Sequence, residues 1–147
     1  MKNIHDVLIT PLKIISVPNG DVMHAIKSSD DGYDNFGEAY FSTIHCGGIK
    51  GWKKHHRMIL NLVVPHGKVQ FVIFDERRGS KSFGNFHKVI LSAEQYYRLT
   101  VPPMLWVGFK GLDENTSIIL NIASIEHSPS EVERKQIDEI LFNWELN

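Results

Sequence analysis

Almost every apolar run in this chain is short, rich in β-branched or aromatic residues, and fenced by Gly, Pro, Asn or Asp. That punctuation belongs to strands, not helices, and it constrains the fold more than any other feature. Candidate strands cover Leu8 to Ser16, Asp21 to Lys27, Glu38 to His45, Met58 to Val64, Lys68 to Asp75, Phe86 to Leu91, Tyr97 to Val101, Leu105 to Lys110 and Ser117 to Ser124. Between them, Pro18-Asn19-Gly20, Asp30-Asp31-Gly32, Pro65-His66-Gly67 and Asp113-Glu114-Asn115 supply residues that tolerate tight or left-handed backbone. Strands at such short intervals predict an all-β sandwich or barrel.

The end of the chain reads differently. Ser128 and Ser130 each precede an acid by three residues, ahead of apolar positions at Val132, Ile137, Ile140, Leu141 and Trp144. With Pro129 suited to a first turn, this predicts a capped amphipathic α-helix covering an open end of the sheet structure. The 147 residues fit one domain. A chain of this length buries roughly 68 to 70% of its unfolded surface, so it needs no disulfide or metal staple. Cys46, the single cysteine, has no internal partner. Together with the absence of an apolar segment behind a basic start, it predicts a cytoplasmic protein. No apolar run approaches the roughly 18 residues of a membrane helix. Sixteen Lys plus Arg against seventeen Asp plus Glu leave a net charge of −1, which argues against a nucleic-acid partner.

Chemistry concentrates between Gly47 and Met58, where Lys53, Lys54, His55, His56 and Arg57 follow one another directly. If the segment is extended, Lys53, His55 and Arg57 share one face and Trp52, Lys54, His56 and Met58 the other. Pointing into a small barrel, such a row would bind an anion such as a diphosphate. The alternative is a solvated edge strand blunted by charge. A metal is not expected. His55 and His56 are adjacent and so point to opposite faces, no acid follows them before Gly67, and a transition-metal site needs three or four converging ligands. Neither a phosphate-binding Gly-rich loop nor a G-x-S-x-G elbow is present. Trp106 either stacks on a nucleobase or belongs to the core.

Ten short motifs run in order along the chain: G-D-V-M-H at Gly20, F-G-E-A-Y-F-S at Phe36, I-K-G-W at Ile49, V-P-H-G-K-V at Val64, F-D-E-R at Phe74, S-F-G at Ser82, L-S-A-E at Leu91, V-P-P at Val101, G-F-K-G-L at Gly108 and the final S-P-S-E. In this order and spacing the chain resembles the dTDP-4-dehydrorhamnose 3,5-epimerase family and its sugar-nucleotide ketoisomerase relatives. The resemblance implies a cupin-type jelly-roll barrel, a nucleotide-sugar ligand, no cofactor and a homodimer to which the N-terminal strand contributes. It also implies proton transfer beside the ketone of a 4-keto-6-deoxy sugar, in surface polysaccharide biosynthesis.

Family positions carry over with substitutions. The diphosphate-holding arginine matches Lys50, the catalytic histidine matches Lys53, a late-strand tyrosine matches Asn121, and a further histidine matches Val107. For Lys53 to act as a base near pH 7, its pKa must fall by roughly three units from 10.4, about 4 kcal/mol. A fixed ammonium beside a developing enolate needs no such shift. His55, with an unperturbed pKa near 6.5, suits proton carriage. Tyr40 is the candidate acid across the barrel. The expected catalytic set is therefore Lys53, His55 and Tyr40, with Lys50, Arg57, Asn61, Trp106 and Asn121 binding substrate. A catalytically inactive sugar-nucleotide binder or structural homologue is the alternative.

Overall fold

The computed structural model describes residues 3–145. Twelve strands carry the fold: β1 (Leu8–Pro11), β2 (Ile14–Val17), β3 (Gly20–Met23), β4 (Glu38–Ile44), β5 (Ile49–His55), β6 (Leu60–His66), β7 (Lys68–Phe74), β8 (Phe86–Ser92), β9 (Tyr97–Val101), β10 (Trp106–Gly111), β11 (Ser117–Ala123) and β12 (Val132–Arg134). They form two five-stranded sheets, β1-β9-β6-β11-β4 and β12-β5-β10-β7-β8, plus the β2-β3 ribbon. All pairings between these strands are antiparallel. The core lies between the two sheets. Leu60, Leu62, Leu99 and Ile119 from the first meet Val69, Phe71, Ile73 and Leu91 from the second.

Turn chemistry sets the register. Asn19 and Gly20 join β2 to β3 with φ of 71° and 152°. Gly67, at φ 89°, joins β6 to β7, and a Cβ there would collide with Ser117. The expected Leu8 to Ser16 strand is two strands, because β1 pairs with β9 while β2 leaves it to pair with β3. The expected Asp21 to Lys27 strand stops at Met23.

The expected C-terminal α-helix is not there. Its place is taken by two 3₁₀ turns (Pro129–Glu131 and Ile137–Glu139) with β12 between them. Ser128 sits where a capping serine belongs but makes no cap bond, its hydroxyl pairing instead with Ser130. Glu131 does not reach back to Ser128 either. Its buried carboxylate accepts the backbone N–H groups of Arg57 and Met58. Of the residues that would nucleate a helix, Glu131 is thus engaged by a distant part of the chain and Ser128 by Ser130, while Val132 to Arg134 complete the edge of β5.

The apolar positions read as a helix stripe are still used, on the outer face of the second sheet. Ile140 and Trp144 pack there with Trp52, Val72 and Trp106. Trp52 and Trp144 have ring centroids 5.4 Å apart. Leu141 is 86% exposed and takes no part. Among the described residues no helix is long and apolar enough to cross a membrane.

Candidate functional site

From Trp52 to His55 the basic segment is a strand, β5, with the expected parity; the strand ends at His55, and Met58, expected on the face of Trp52, is buried in the core between the sheets instead. Lys53 and His55 line a cavity between the sheets, whereas Trp52 is buried on the outer face. Lys54 pairs with Glu133 at 3.1 Å and lies 4.8 Å from the Trp106 ring centroid, while His56 stands 3.4 Å from the same Glu133. Lys50 also lines the cavity, although simple alternation from Lys53 would turn it outward. The cause is a bulge: Val107 pairs with Lys53 and Phe109 with Lys50, so three steps along β5 oppose two along β10. The extra residue turns Lys50 to the same side as Lys53. Lys50 is held at the rim by donating Nζ to the Thr43 carbonyl at 2.6 Å.

The opposite wall comes from the first sheet. Tyr40 and Ser42 on β4 and Asn121 on β11 face the β5 row across a cavity of about 160 Å³. Asn121 and Tyr40 are directly opposed in the β11–β4 ladder, and Asn121 Nδ2 donates to Tyr40 Oη at 2.9 Å. Leu60, Leu62, Phe71, Val107, Phe109 and Ile119 make the rest of the lining apolar. Two polar atoms here are buried without a protein partner, His55 Nδ1 and Asn121 Oδ1. Such atoms normally find a partner in the protein, in ordered water or in a ligand.

The electrostatics of β5 are unusual for a sheet. Burial, followed by the charges of Arg134 and Lys50, holds the Lys53 pKa below the ordinary lysine value. Its repelling neighbours are these two and not the adjacent residues of its own segment. Arg134 stands directly across the β12–β5 ladder from Lys53, and like charges so placed destabilise a pair of strands. Lys53 makes no ion pair among the described residues.

Burial also lowers the His55 pKa. Glu131 opposes the shift, while Lys53, His127 and Arg134 reinforce it. At pH 7 His55 is therefore neutral and able to take a proton. Among the described residues, no group of three His, Cys, Asp or Glu side chains is placed to hold a metal.

Five of the eight expected residues meet in this cavity: Lys50, Lys53, His55, Tyr40 and Asn121. Three lie elsewhere. Arg57 has a side chain 78% exposed and reaches Glu131 at 3.5 Å. Asn61 is buried away from the cavity, donating to the Gly32 carbonyl and accepting from Thr100. Trp106 is buried on the outer face and donates to Glu76 at 2.7 Å. Ser42 was not anticipated, though its place two residues after Tyr40 on one strand was a readable signal. Glu131, the acid three residues after Ser128, has a capping pattern in sequence, and nothing in that pattern points to Arg57 and Met58.

The profile of a family described as dTDP-4-dehydrorhamnose 3,5-epimerase matches residues 30–145. The chain is 27% identical over 123 residues to a probable low-salt glycan biosynthesis epimerase of Haloferax volcanii, covering 82% of this chain and 79% of that protein. It is 25% identical to the spore coat polysaccharide biosynthesis protein SpsL of Bacillus subtilis, covering 81% and 82%. Among solved structures, a dTDP sugar isomerase from Desulfovibrio desulfuricans superposes with a TM-score of 0.92 at 29% identity, covering 96% of this chain and 92% of that one. A Legionella pneumophila 3,5-epimerase in complex with dTDP-4-keto-L-rhamnose shares the fold, with a TM-score of 0.86 at 21% identity, covering 99% and 82%.

Proposed function

We propose, because this chain belongs to the dTDP-4-dehydrorhamnose 3,5-epimerase family, that its cavity binds the sugar of a dTDP-4-keto-6-deoxyhexose and moves a proton beside the ketone. The observation that carries this reading is the pair of opposed walls. Two cations and a neutral imidazole on one sheet face a phenol and an amide on the other. The volume, about 160 Å³, is below the roughly 300 to 1,000 Å³ of pockets that enclose a whole ligand. It suits one sugar ring, with the nucleotide at the rim. The apolar lining accommodates a deoxy methyl group.

In this reading Lys50 binds diphosphate at the cavity rim, and bound phosphate relieves the repulsion between Lys53 and Arg134. His55 takes the proton beside the ketone. The electron pair of the broken C–H bond passes to the carbonyl oxygen, where the Lys53 ammonium stabilises the enolate. Tyr40, on the opposite wall, returns a proton to the other face of the ring. Arg57 would reach the nucleotide only from outside the cavity. Asn61 and Trp106 support the walls from behind.

The same family membership supports a homodimer. The β2–β3 ribbon exposes Ile14, Ile15, Val17 and Val22, and Phe41 on β4 is 69% exposed. A second copy of the chain would cover them, and sedimentation at micromolar concentration is expected to give twice the monomer mass.

The functional test is incubation with dTDP-4-keto-6-deoxyglucose in heavy water, with C3 and C5 followed by NMR. The expected result is deuterium at one or both carbons, lost in Lys53→Ala and His55→Ala. No exchange, with dTDP still raising the melting temperature, identifies a sugar-nucleotide binder instead.

A further inference from the structure

The structure assigns Asn121 a role as the positioning residue of Tyr40, fixing which way the phenolic proton points. The assignment rests on the proton-transfer reading above and adds a residue to it. A phenol hydroxyl has one hydrogen to give and lone pairs to receive. Asn121 Nδ2 donates to Tyr40 Oη at 2.9 Å from the directly opposed position on β11. With that lone pair occupied by the amide, the phenolic hydrogen is left for another acceptor, and the space it faces is the cavity.

The amide that does this is itself fixed, being 4% exposed. Its other end, Oδ1, is buried with no partner while the residue lines the same cavity. Oδ1 is therefore placed to accept a hydroxyl of the bound ring. One side chain thus orients the acid and touches the substrate. Tyr40 and His55 stand on different sheets, so a ring between them presents one face to each. The steps balance. His55 gains the carbon-bound hydrogen, the C–H electron pair enters the enolate and returns to form the new C–H bond with the hydrogen that Tyr40 gives to the opposite face, and solvent then takes the proton from the His55 imidazolium and supplies one to the Tyr40 phenolate.

Asn121→Asp separates the two duties. A carboxylate keeps the acceptor for the ring hydroxyl but has no hydrogen to donate, so the Tyr40 hydroxyl turns its own proton to the carboxylate and away from the ring. The added negative charge faces an anionic substrate, so KM rises, and the rates are compared at saturating substrate. His55 still takes and returns a proton on its own face, so deuterium exchange without inversion persists within about threefold of wild type. Inversion falls at least tenfold, as in Tyr40→Phe, and the double variant is no worse than either alone.

Equal loss of exchange and inversion means that Asn121 acts only on the fold, and wild-type inversion means that it does not orient Tyr40; either result overturns the assignment. If Asn121→Asp melts more than about 10 °C below wild type, Asn121→Ala takes its place. It lacks both donor and acceptor, so it must raise KM while lowering the inversion-to-exchange ratio, and an unchanged ratio overturns the assignment equally. A wild-type protein that neither exchanges nor inverts removes the functional reading itself, and this role with it.

Discussion

Glu131 links the stability of the fold to the electrostatics of the cavity, and replacing it by alanine should disturb both. The carboxylate is 3% exposed and accepts the backbone N–H groups of Arg57 and Met58, the latter at 2.8 Å, as well as Arg57 Nε at 3.5 Å. Burial pushes its pKa up, but these donors outweigh that and leave it below the ordinary glutamate value, so it is charged at neutral pH. Bonds to a charged acceptor contribute about 1.5 to 3 kcal/mol each. The Arg57 contact is long and its side chain largely exposed, so it adds little.

Losing these two bonds, both to Oε1, therefore costs about 3 to 6 kcal/mol, a large part of the 5 to 15 kcal/mol that holds a typical domain together. Glu131→Gln keeps one acceptor oxygen and should cost less, about 1 to 2 kcal/mol. Urea denaturation at pH 7 measures both. The second effect has a definite sign. Glu131 raises the His55 pKa, so in Glu131→Gln the His55 imidazole should titrate at still lower pH by NMR. A loss under about 1 kcal/mol in Glu131→Ala would show that these two bonds do not hold the β5–β6 connection, and an upward His55 shift in Glu131→Gln that Glu131 does not stabilise the imidazolium.

Other consequences are more local. Because burial lowers the His55 pKa, the acid limb of the exchange rate should fall below pH 6.5, the ordinary histidine value, and a limb above it would contradict the site's electrostatics. Asp75 is fully buried and accepts bonds from Arg77, Ser80 and Ser82. Burial alone would raise its pKa, but those bonds hold it far below the usual carboxylate range. With the folded pKa depressed below an unfolded value near 3.9, its stabilisation is complete above about pH 4 and is lost as pH falls further. Urea midpoints between pH 5 and 2 should therefore fall steeply in wild type and less steeply in Asp75→Asn. A Cβ at Gly37 would collide with the Ile125 main chain, so Gly37→Ala should cost about 3 kcal/mol by the same assay.

The strands were legible because β-branched runs and turn residues act locally. Pro18-Asn19-Gly20 forms the β2–β3 turn from its own backbone preferences. One face of β5 was legible for the same reason, since parity alone sends Lys53 and His55 to one side and Trp52 to the other. Lys50 joined them only through a bulge opposite Gly108, which no local pattern announces.

The C-terminal segment failed as a helix because its code is ambiguous at short range. Ser128 and Glu131 satisfy a capping pattern, but the carboxylate has donors on residues 73 and 74 positions away, and the outer face of the second sheet needs Ile140 and Trp144. Trp106 shows the same limit. An aromatic on a strand fits a binding face or a core, and it is core here because the tail folds over it.

A crystal structure of the protein soaked with dTDP-4-keto-6-deoxyglucose bears most directly on the two opposed walls. The sugar ring is expected between His55 and Tyr40, its carbonyl oxygen within hydrogen-bond distance of Lys53 Nζ and its diphosphate near Lys50. A sugar lodged on the outer face beside Trp106, or a ring in the cavity with its carbonyl turned toward the apolar lining, would contradict that placement.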